Sequence, residues 1–277
     1  MVAVAESGRR RPTATLKWSR SPIRLVSLWA CLIVSVAPLV VIATAAVTKR
    51  WNQGGPFAGG ITLEWLAAAF PSYLPRLGTS LQVMVITLVL TVVFGLPIAW
   101  LLARRRVPGA GAVQWFTTLP LSLPGIAMGL ALIGSYPQLQ STGYLVIAGH
   151  AMLTTPLMVA ALTPLLADPA QRDLEQVART LGASMLRRFL TVTLPFLRTG
   201  LLSGALMVSA ISLGEFNISY FVISPAQPTL PVGLFSSFIY GSISEAAAQT
   251  VLFCLAVIPV SIVLQIVGKL ALKRSTK

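Results

Sequence analysis

Long uncharged apolar runs separated by clusters of basic residues dominate the pattern along the chain. The runs cover residues 25–48, 77–103, 107–167, 199–214 and 246–268. The third run is long enough for two membrane helices, and the polar, turn-forming stretch 136–143 divides it. Because lipid cannot satisfy exposed backbone groups, and no ten-residue alternation supports a barrel, these runs are predicted to be helices. The predicted fold class is an all-α membrane protein with six transmembrane helices, at 25–48, 78–102, 112–134, 144–166, 199–223 and 246–268.

The distribution of Lys and Arg predicts the orientation of these helices. All basic residues except Lys49, Arg50 and Arg76 lie in the two terminal tails or in the loops after the second and fourth predicted helices. These four segments share one side of the predicted topology. Since cytoplasmic loops carry the excess of Lys and Arg, both termini are predicted to be cytoplasmic, in an inner or plasma membrane.

Composition agrees with this class. The chain is 55% hydrophobic and 10% charged, with a mean hydropathy of +0.81, which excludes a soluble enzyme, a disordered chain and a fibrous protein. The net charge of +14 reflects membrane topology and not nucleic-acid binding. Cys31 and Cys254 both lie in apolar runs, so neither a disulfide framework nor a zinc cluster is predicted.

Four segments are predicted along the chain. Residues 1–24 form a basic cytoplasmic tail, disordered over 1–20, and 271–277 form a second tail. Residues 25–74 hold the first helix and an external segment, in which a short amphipathic piece at 62–66 ends at Pro71. Residues 75–270 form the core domain. Ala43-Thr44-Ala45 resembles a signal-peptide cleavage site, but the apolar core before it is too long, which favours a retained helix.

The most charged segment is the predicted internal loop 168–198. Asp168 is predicted to cap a short helix over 173–181 with Pro169 at its first position, and Gly182 to end it. A second amphipathic turn over 184–192 is predicted to stop before Leu194-Pro195. Two short helices at an angle form either a projection that fits a cleft on another protein or a solvated loop.

This loop resembles that of the integral-membrane permease subunits of binding-protein-dependent ATP-binding-cassette importers, of the type I fold. The family motif is Glu-Ala-Ala, three residues, Gly, a spacer of about nine residues, then a hydrophobe-x-Leu-Pro. The matching positions are Gln176-Val177-Ala178, Gly182 and Val192-Thr193-Leu194-Pro195. Gln176 replaces the family's glutamate, with Glu175 one residue earlier, and Val177 replaces the first alanine.

The resemblance implies a non-catalytic subunit that works with partners: a second permease subunit, identical or related, a cytoplasmic ATPase dimer and an extracytoplasmic solute-binding protein. No phosphate-binding Gly-rich loop and no metal-ligand spacing occurs in the sequence, and no cofactor is predicted. The residues implied in ATPase coupling are Glu175, Gln176, Val177, Ala178, Arg179, Thr180, Leu181, Gly182, Leu194 and Pro195.

Candidate residues for the translocation path surround Glu215, the sole acidic residue within a predicted span. A carboxylate in lipid is costly, so Glu215 should face a pore or gate, with Asn217, Ser212 and Ser219, or pair with Arg76 or with an arginine of the second subunit. His150 is more typical of a satisfied packing histidine than of a proton or substrate site. The Gly125–Gly129 spacing indicates only that close helix contact is possible.

The proline-rich stretch 224–232 predicts an external turn, and 233–240 a short re-entrant or interfacial piece. The Glu-Phe-Asn and Thr-Leu-Pro-Val patterns resemble permeases that import polyamines, phosphonates or iron, and a lone carboxylate favours a cation such as spermidine or putrescine. A self-sufficient carrier or channel and an intramembrane enzyme are the alternatives. The importer predicts that an ATPase co-purifies, whereas a carrier would move solute alone.

Overall fold

The structure is a computed structural model that describes residues 22–51, 54–104 and 109–273. Within these ranges the chain is helical, and the pairing of Thr48 with Ile61 is the single β-bridge. The helices are α1 (Pro22–Val47), α2 (Glu64–Arg104), α3 (Ala110–Ser122), α4 (Gly125–Ser135), α5 (Tyr144–Ala167), α6 (Pro169–Thr180), α7 (Met185–Arg188), α8 (Leu194–Phe196), α9 (Arg198–Gly214), α10 (Ser219–Val222), α11 (Leu230–Tyr240) and α12 (Ile243–Lys273). A 3₁₀ helix (Pro137–Thr142) precedes α5, and a π-helical segment (Phe189–Thr193) joins α7 to α8.

The chain divides into two units, residues up to Val41 and residues from Ile42 to the end. In the first unit the described part of α1 presents exposed apolar side chains, among them Leu25, Trp29 and Ile33. The predicted disordered tail, residues 1–20, lies outside the described residues.

Four described helices are long and apolar enough to cross a membrane, within α1, α2, α5 and α12. Two further spans are possible if each of two bent helix pairs counts as one. The first pair is α3 with α4, bent by 102°, and the second joins Met185–Phe196 to α9, bent by 66°. The described residues therefore contain four to six candidate spans, compared with the six predicted.

Three predicted helix boundaries are wrong. Two of them involve proline: one helix continues through prolines that were expected to end it, and another breaks before a proline. The piece at 62–66 does not end at Pro71, because α2 runs unbroken from Glu64 through Pro71 and Pro75. Helices of this kind tolerate proline when neighbouring groups satisfy the freed carbonyls. The span predicted at 112–134 breaks at Leu123, which is extended (ψ 137°) before Pro124, as steric exclusion before proline favours. The helix predicted at 199–223 ends at Gly214.

A bundle of α2, α5 and α9 forms the centre of the second unit. The side chain of Met158 on α5 is fully buried and contacts Gly95 of α2 and Gly204 of α9. One turn earlier in α9, a Cβ atom on Gly200 would lie 2.6 Å from Leu165 Cδ1 and 2.9 Å from the Ala161 carbonyl oxygen. Glycine at position 200 is therefore required for the close approach of α9 to α5.

The opposite end of the second unit joins α2, α11 and α12 through polar contacts. The Tyr73 hydroxyl donates to the Leu252 carbonyl oxygen over 3.0 Å, and the Leu230 amide donates to Ser80 Oγ over 2.8 Å. The short piece predicted at 233–240 is α11, with Pro231 in its first turn. Its eleven residues are too few to span a bilayer as a helix.

Candidate functional site

The loop at 168–198 begins as the sequence predicts. The Asp168 carboxylate accepts a hydrogen bond from the Ala170 amide over 2.9 Å, so it caps α6, with Pro169 at the first helical position. Gly182 ends the helix with φ +79°. The Gly182 amide donates to the Arg179 carbonyl and the Ala183 amide to the Ala178 carbonyl, both over 3.0 Å. These two bonds form a Schellman cap, which needs a residue that tolerates positive φ.

The second half of the loop differs from its prediction. The Ser184 hydroxyl caps α7, which passes into the π-helical segment at 189–193 and then into α8. Leu194 and Pro195 therefore continue this helical run, and the turn occurs at Leu197 instead. The Leu194 amide donates to the Phe189 carbonyl, and this wider winding brings the Thr193 side chain to Glu175.

A polar clamp (Arg104, Gln171, Glu175 and Thr193) fixes the loop to the end of α2. The Thr193 hydroxyl donates to Glu175 Oε1 over 2.6 Å, Gln171 Nε2 donates to the same oxygen, and the Arg104 guanidinium pairs with Oε2. Gln171 is fully buried. Arg172 adds a further bond from Nη2 to the Ala103 carbonyl over 2.6 Å. The clamp therefore ties α6 to the end of α2 through side-chain hydrogen bonds.

The clamp carries its negative charge on Glu175, one residue before the position that the family's glutamate occupies. Gln176 is exposed, so the replacement of the family's glutamate at that position leaves the clamp intact. Sequence reasoning missed Arg104, Gln171 and Thr193. The available signal was the four-residue spacing of Gln171 and Glu175, which puts both on one helix face.

The tip of the loop (Leu181, Met185 and Leu186) is apolar and exposed. These side chains are 81%, 74% and 68% exposed, respectively. Val177, which lies on α6 with the clamp residues Gln171 and Glu175, is 57% exposed. Exposed apolar side chains grouped on a rigid support mark a surface for contact with another molecule.

A second polar cluster, the His150 network (His150, Ser212, Glu215 and Ser219), lies inside the helix bundle. His150 Nδ1 is 2.9 Å from Ser212 Oγ, and Nε2 is 2.8 Å from Ser219 Oγ. The Ser219 hydroxyl donates to Glu215 Oε2 over 3.1 Å. Since that hydroxyl has a single proton, Nε2 must donate to it, and a neutral ring then accepts the Ser212 proton at Nδ1.

Glu215 also organises the backbone where α9 ends. Its carboxylate accepts the amides of Ile218 and Ser219 over 2.9 Å and 3.0 Å. The residue is 7% exposed and His150 is 1% exposed. The expectation of a satisfied histidine at 150 agrees with this geometry. The alternative pairing of Glu215 with Arg76 is wrong, because the Glu215 carboxylate accepts from Ile218 and Ser219, while Arg76 Nη1 donates to Gln249 Oε1 over 2.7 Å.

Asn217 lies apart from the other three predicted path residues, since its side chain is exposed while theirs are buried. An added Cβ atom on Gly125 would lie 2.9 Å from Asn217 Cβ, and one on Gly129 would lie 3.2 Å from the Ile218 carbonyl oxygen. Gly125 and Gly129 of α4 therefore allow the close approach of the segment at 215–221. From the sequence, this spacing indicated only that close helix contact is possible. In the structure, both glycines pack against a segment of the same chain.

Known proteins resemble the chain in both sequence and fold. The sequence model of the family described as the binding-protein-dependent transport system inner membrane component matches residues 92–277. A Salmonella typhi protein named for 2-aminoethylphosphonate transport, PhnV, is 29% identical over 222 residues, covering 77% of this chain and 82% of that protein. The molybdenum transport system permease protein ModB of Haemophilus influenzae is 32% identical over 216 residues, covering 72% and 93%.

A solved structure extends the likeness to the fold. A bacterial ABC transporter involved in the import of the acidic polysaccharide alginate has a chain that superposes with a TM-score of 0.66 at 16% identity, covering 90% of this chain and 95% of that one. The chain belongs to the family of inner membrane components of binding-protein-dependent transport systems. It is a type I ABC importer permease, and the members of its family are non-catalytic membrane subunits.

Proposed function

We propose that the chain forms half of a solute translocation path and couples to a cytoplasmic ATPase dimer through the loop at 168–198. The observation that carries the proposal is the exposed apolar tip (Leu181, Met185 and Leu186) on a helix that the polar clamp holds to α2. The second half of the path is another permease subunit, and a binding protein delivers solute from outside. Glu175 to Gly182, with Leu194 and Pro195, constitute the coupling element.

The clamp supplies a mechanism for this coupling. When nucleotide closes the ATPase dimer, the two docked tips move towards each other. Because Glu175 joins α6 to Arg104 at the end of α2 and to Thr193 before α9, the loop moves these helices with it. A rigid-body rotation of the bundle then exchanges an inward-open for an outward-open path.

The proposed topology has six spans, both termini in the cytoplasm and a core domain at 75–270. It counts α3 with α4 as one bent span, and α9 with the segment that follows it, over 199–223, as another, so that the loop at 168–198 lies in the cytoplasm. Its support is the concentration of Lys and Arg in the two tails and in the loops after the second and fourth spans. A reporter fused after Lys277 should score as cytoplasmic, and an external signal would overturn this topology.

For the translocation path we propose that Glu215, Ser212 and Ser219 position the break after α9 while Asn217 faces the solute. The supporting contrast is between three buried side chains that His150 and Ser219 connect by hydrogen bonds and one exposed side chain at the same break. Asn217→Ala keeps the Cβ atom that packs on Gly125. It should change the uptake rate without changing the melting temperature, and an unaltered uptake rate would remove Asn217 from the path.

We propose an oxyanion as the solute. The relatives support this choice, since their names specify 2-aminoethylphosphonate and molybdenum transport. They give no support to a polyamine, and the bonds of Glu215 to His150, Ser219 and two amides account for its charge within the chain. Uptake measured in the presence of competing phosphonate, molybdate or spermidine distinguishes these solutes. Competition by spermidine alone would support a cationic solute instead.

Reconstitution into liposomes tests the function itself. With its ATPase and binding protein, the permease should accumulate solute only when ATP is supplied. Without the ATPase it should move none. Solute movement by the permease alone would support the carrier or channel instead.

A further inference from the structure

A cavity of about 1040 Å³ lies between the end of α2 and the loop at 168–198. It is separate from the His150 network, but it adjoins the coupling element, since Glu175, Gln176 and Arg179 are among its lining residues. One wall is apolar and comes from Pro97, Trp100 and Leu101 on the last turns of α2. The facing wall includes Phe189, whose ring centroid is 6.3 Å from that of Trp100.

The rest of the lining is strongly basic. Four arginines (Arg104, Arg172, Arg179 and Arg188) face one acidic residue, Glu175. Glu175 is already engaged by Arg104, Gln171 and Thr193. The cavity therefore retains an excess of positive charge that the described residues do not neutralise.

Two of these arginines have unsatisfied donors. The Nε atoms of Arg172 and Arg188 are buried and have no hydrogen-bond partner among the described residues. A buried donor without a partner destabilises the folded protein. Guanidinium groups match the geometry of phosphate oxygens, so the arginines that line the cavity favour a ligand with several acceptor oxygens.

We propose that this cavity binds the phosphate group of an anionic phospholipid, with its acyl chain along Pro97, Trp100 and Leu101. The combination of an arginine cluster with an apolar, aromatic wall at the end of a long apolar helix favours an amphipathic ligand. The proposal rests on the proposed cytoplasmic side of this loop, where such headgroups occur. The rivals are free inorganic phosphate and an acidic side chain of the ATPase.

Tryptophan quenching in mixed micelles of the purified full-length protein tests the proposal. Brominated phosphatidylglycerol should quench Trp100 at a lower mole fraction than brominated phosphatidylcholine does, and Trp100→Phe identifies that part of the signal. Each basic residue near a lipid surface contributes about 1 kcal/mol, which is about a fivefold change in affinity. Arg188→Gln and Arg179→Gln should therefore each weaken the phosphatidylglycerol signal about fivefold.

Arg187→Gln is the matched control. Arg187 is exposed and does not line the cavity, so this variant removes the same charge and should leave the signal unchanged. An equal loss in Arg187→Gln would indicate general charge attraction and overturn the site. Gel filtration of each variant identifies any that fails to fold, and the remaining single variant then carries the comparison.

Two further measurements distinguish the rivals. Excess inorganic phosphate should leave the lipid signal in place. Its removal by phosphate, with the same sensitivity to Arg188→Gln, would assign the site to the free anion. A weakened ATPase co-purification in Arg188→Gln with unchanged quenching would assign Arg188 to the ATPase. Since micelle binding needs neither transport nor a membrane side, its failure is distinguishable from failure of the proposed coupling.

Discussion

Two glutamates, Glu175 and Glu215, each organise a polar cluster in this chain, and the difference between their surroundings separates two roles. Glu175 bonds side chains on α2, on its own helix and on the π-helical segment, and its side chain is 14% exposed. Glu215 bonds two amides and a hydroxyl within four residues of itself, beside His150, and its side chain is 5% exposed.

The difference shows that the same residue type can either connect helices that move together or fix a local backbone conformation. Glu175 joins elements that are distant along the chain, so it can transmit displacement from a docked partner to the bundle. Glu215 fixes a local backbone path inside the bundle, where a buried charge is stable only if every acceptor is used. Loss of Glu215 should therefore cost folding stability, while loss of Glu175 should cost coupling.

The largest expected effect is that of Glu215→Gln. The amide nitrogen of Gln cannot accept a hydrogen bond, so one of the buried amides of Ile218 and Ser219 or the Ser219 hydroxyl loses its acceptor. We expect a loss of about 2–3 kcal/mol, measured as a lower melting temperature in detergent. Asn217→Ala, at an exposed position in the same break, is the control. Equal melting of the two variants would contradict the role of the His150 network.

Gly182→Val should have the next largest effect. Gly182 has φ +79° and open space around its Cβ position, so the substitution adds backbone strain of about 1–2 kcal/mol without a clash. We expect the Schellman cap to open and ATP-driven uptake per inserted molecule to fall about tenfold. Gly143→Val is a matched control, since Gly143 has φ +77° and equally open space but lies outside the loop. Unchanged uptake in Gly182→Val would contradict the coupling element.

Glu175→Gln should have a smaller effect. Gln can still accept the Thr193 proton, but the charge opposite Arg104 is lost. For a pair that is partly exposed this costs about 1 kcal/mol. We expect weaker ATPase binding, with a melting temperature close to that of the parent. Asp173→Asn removes a carboxylate from an exposed position on the same helix and should bind the ATPase normally. If both variants weaken binding equally, net charge and not the clamp is responsible.

Local signals made much of this fold predictable. The stretch at 136–143 divides the long apolar run as expected because Pro137 and Gly143 act within a few residues, and Gly143 has positive φ. The Leu123-Pro124 break carries the same kind of signal, which the uniform apolar composition of the run obscured. The end of α9 at Gly214 was not predicted, because the apolar character of the sequence continues beyond it. The helix ends there because the Glu215 carboxylate accepts hydrogen bonds from the backbone amides that follow.

The long-range contacts of the candidate site were beyond local patterns. Arg104 and Glu175 are separated by 71 positions, and no periodicity connects them. The contribution of Thr193 depends on the π-helical winding at 189–193, which shifts its side chain relative to a regular helix. The motif predicted where the loop caps lie, whereas the clamp required three-dimensional contacts.

Cross-linking from the tip of the loop tests the central claim most directly. Leu181→Cys, at an 81% exposed position, should form a covalent adduct with the ATPase subunit in membranes that contain the whole importer. The yield should change when nucleotide is added. Leu63→Cys, 64% exposed and on the proposed external side, should form none. ATP-driven uptake without any ATPase adduct from Leu181→Cys would contradict the account.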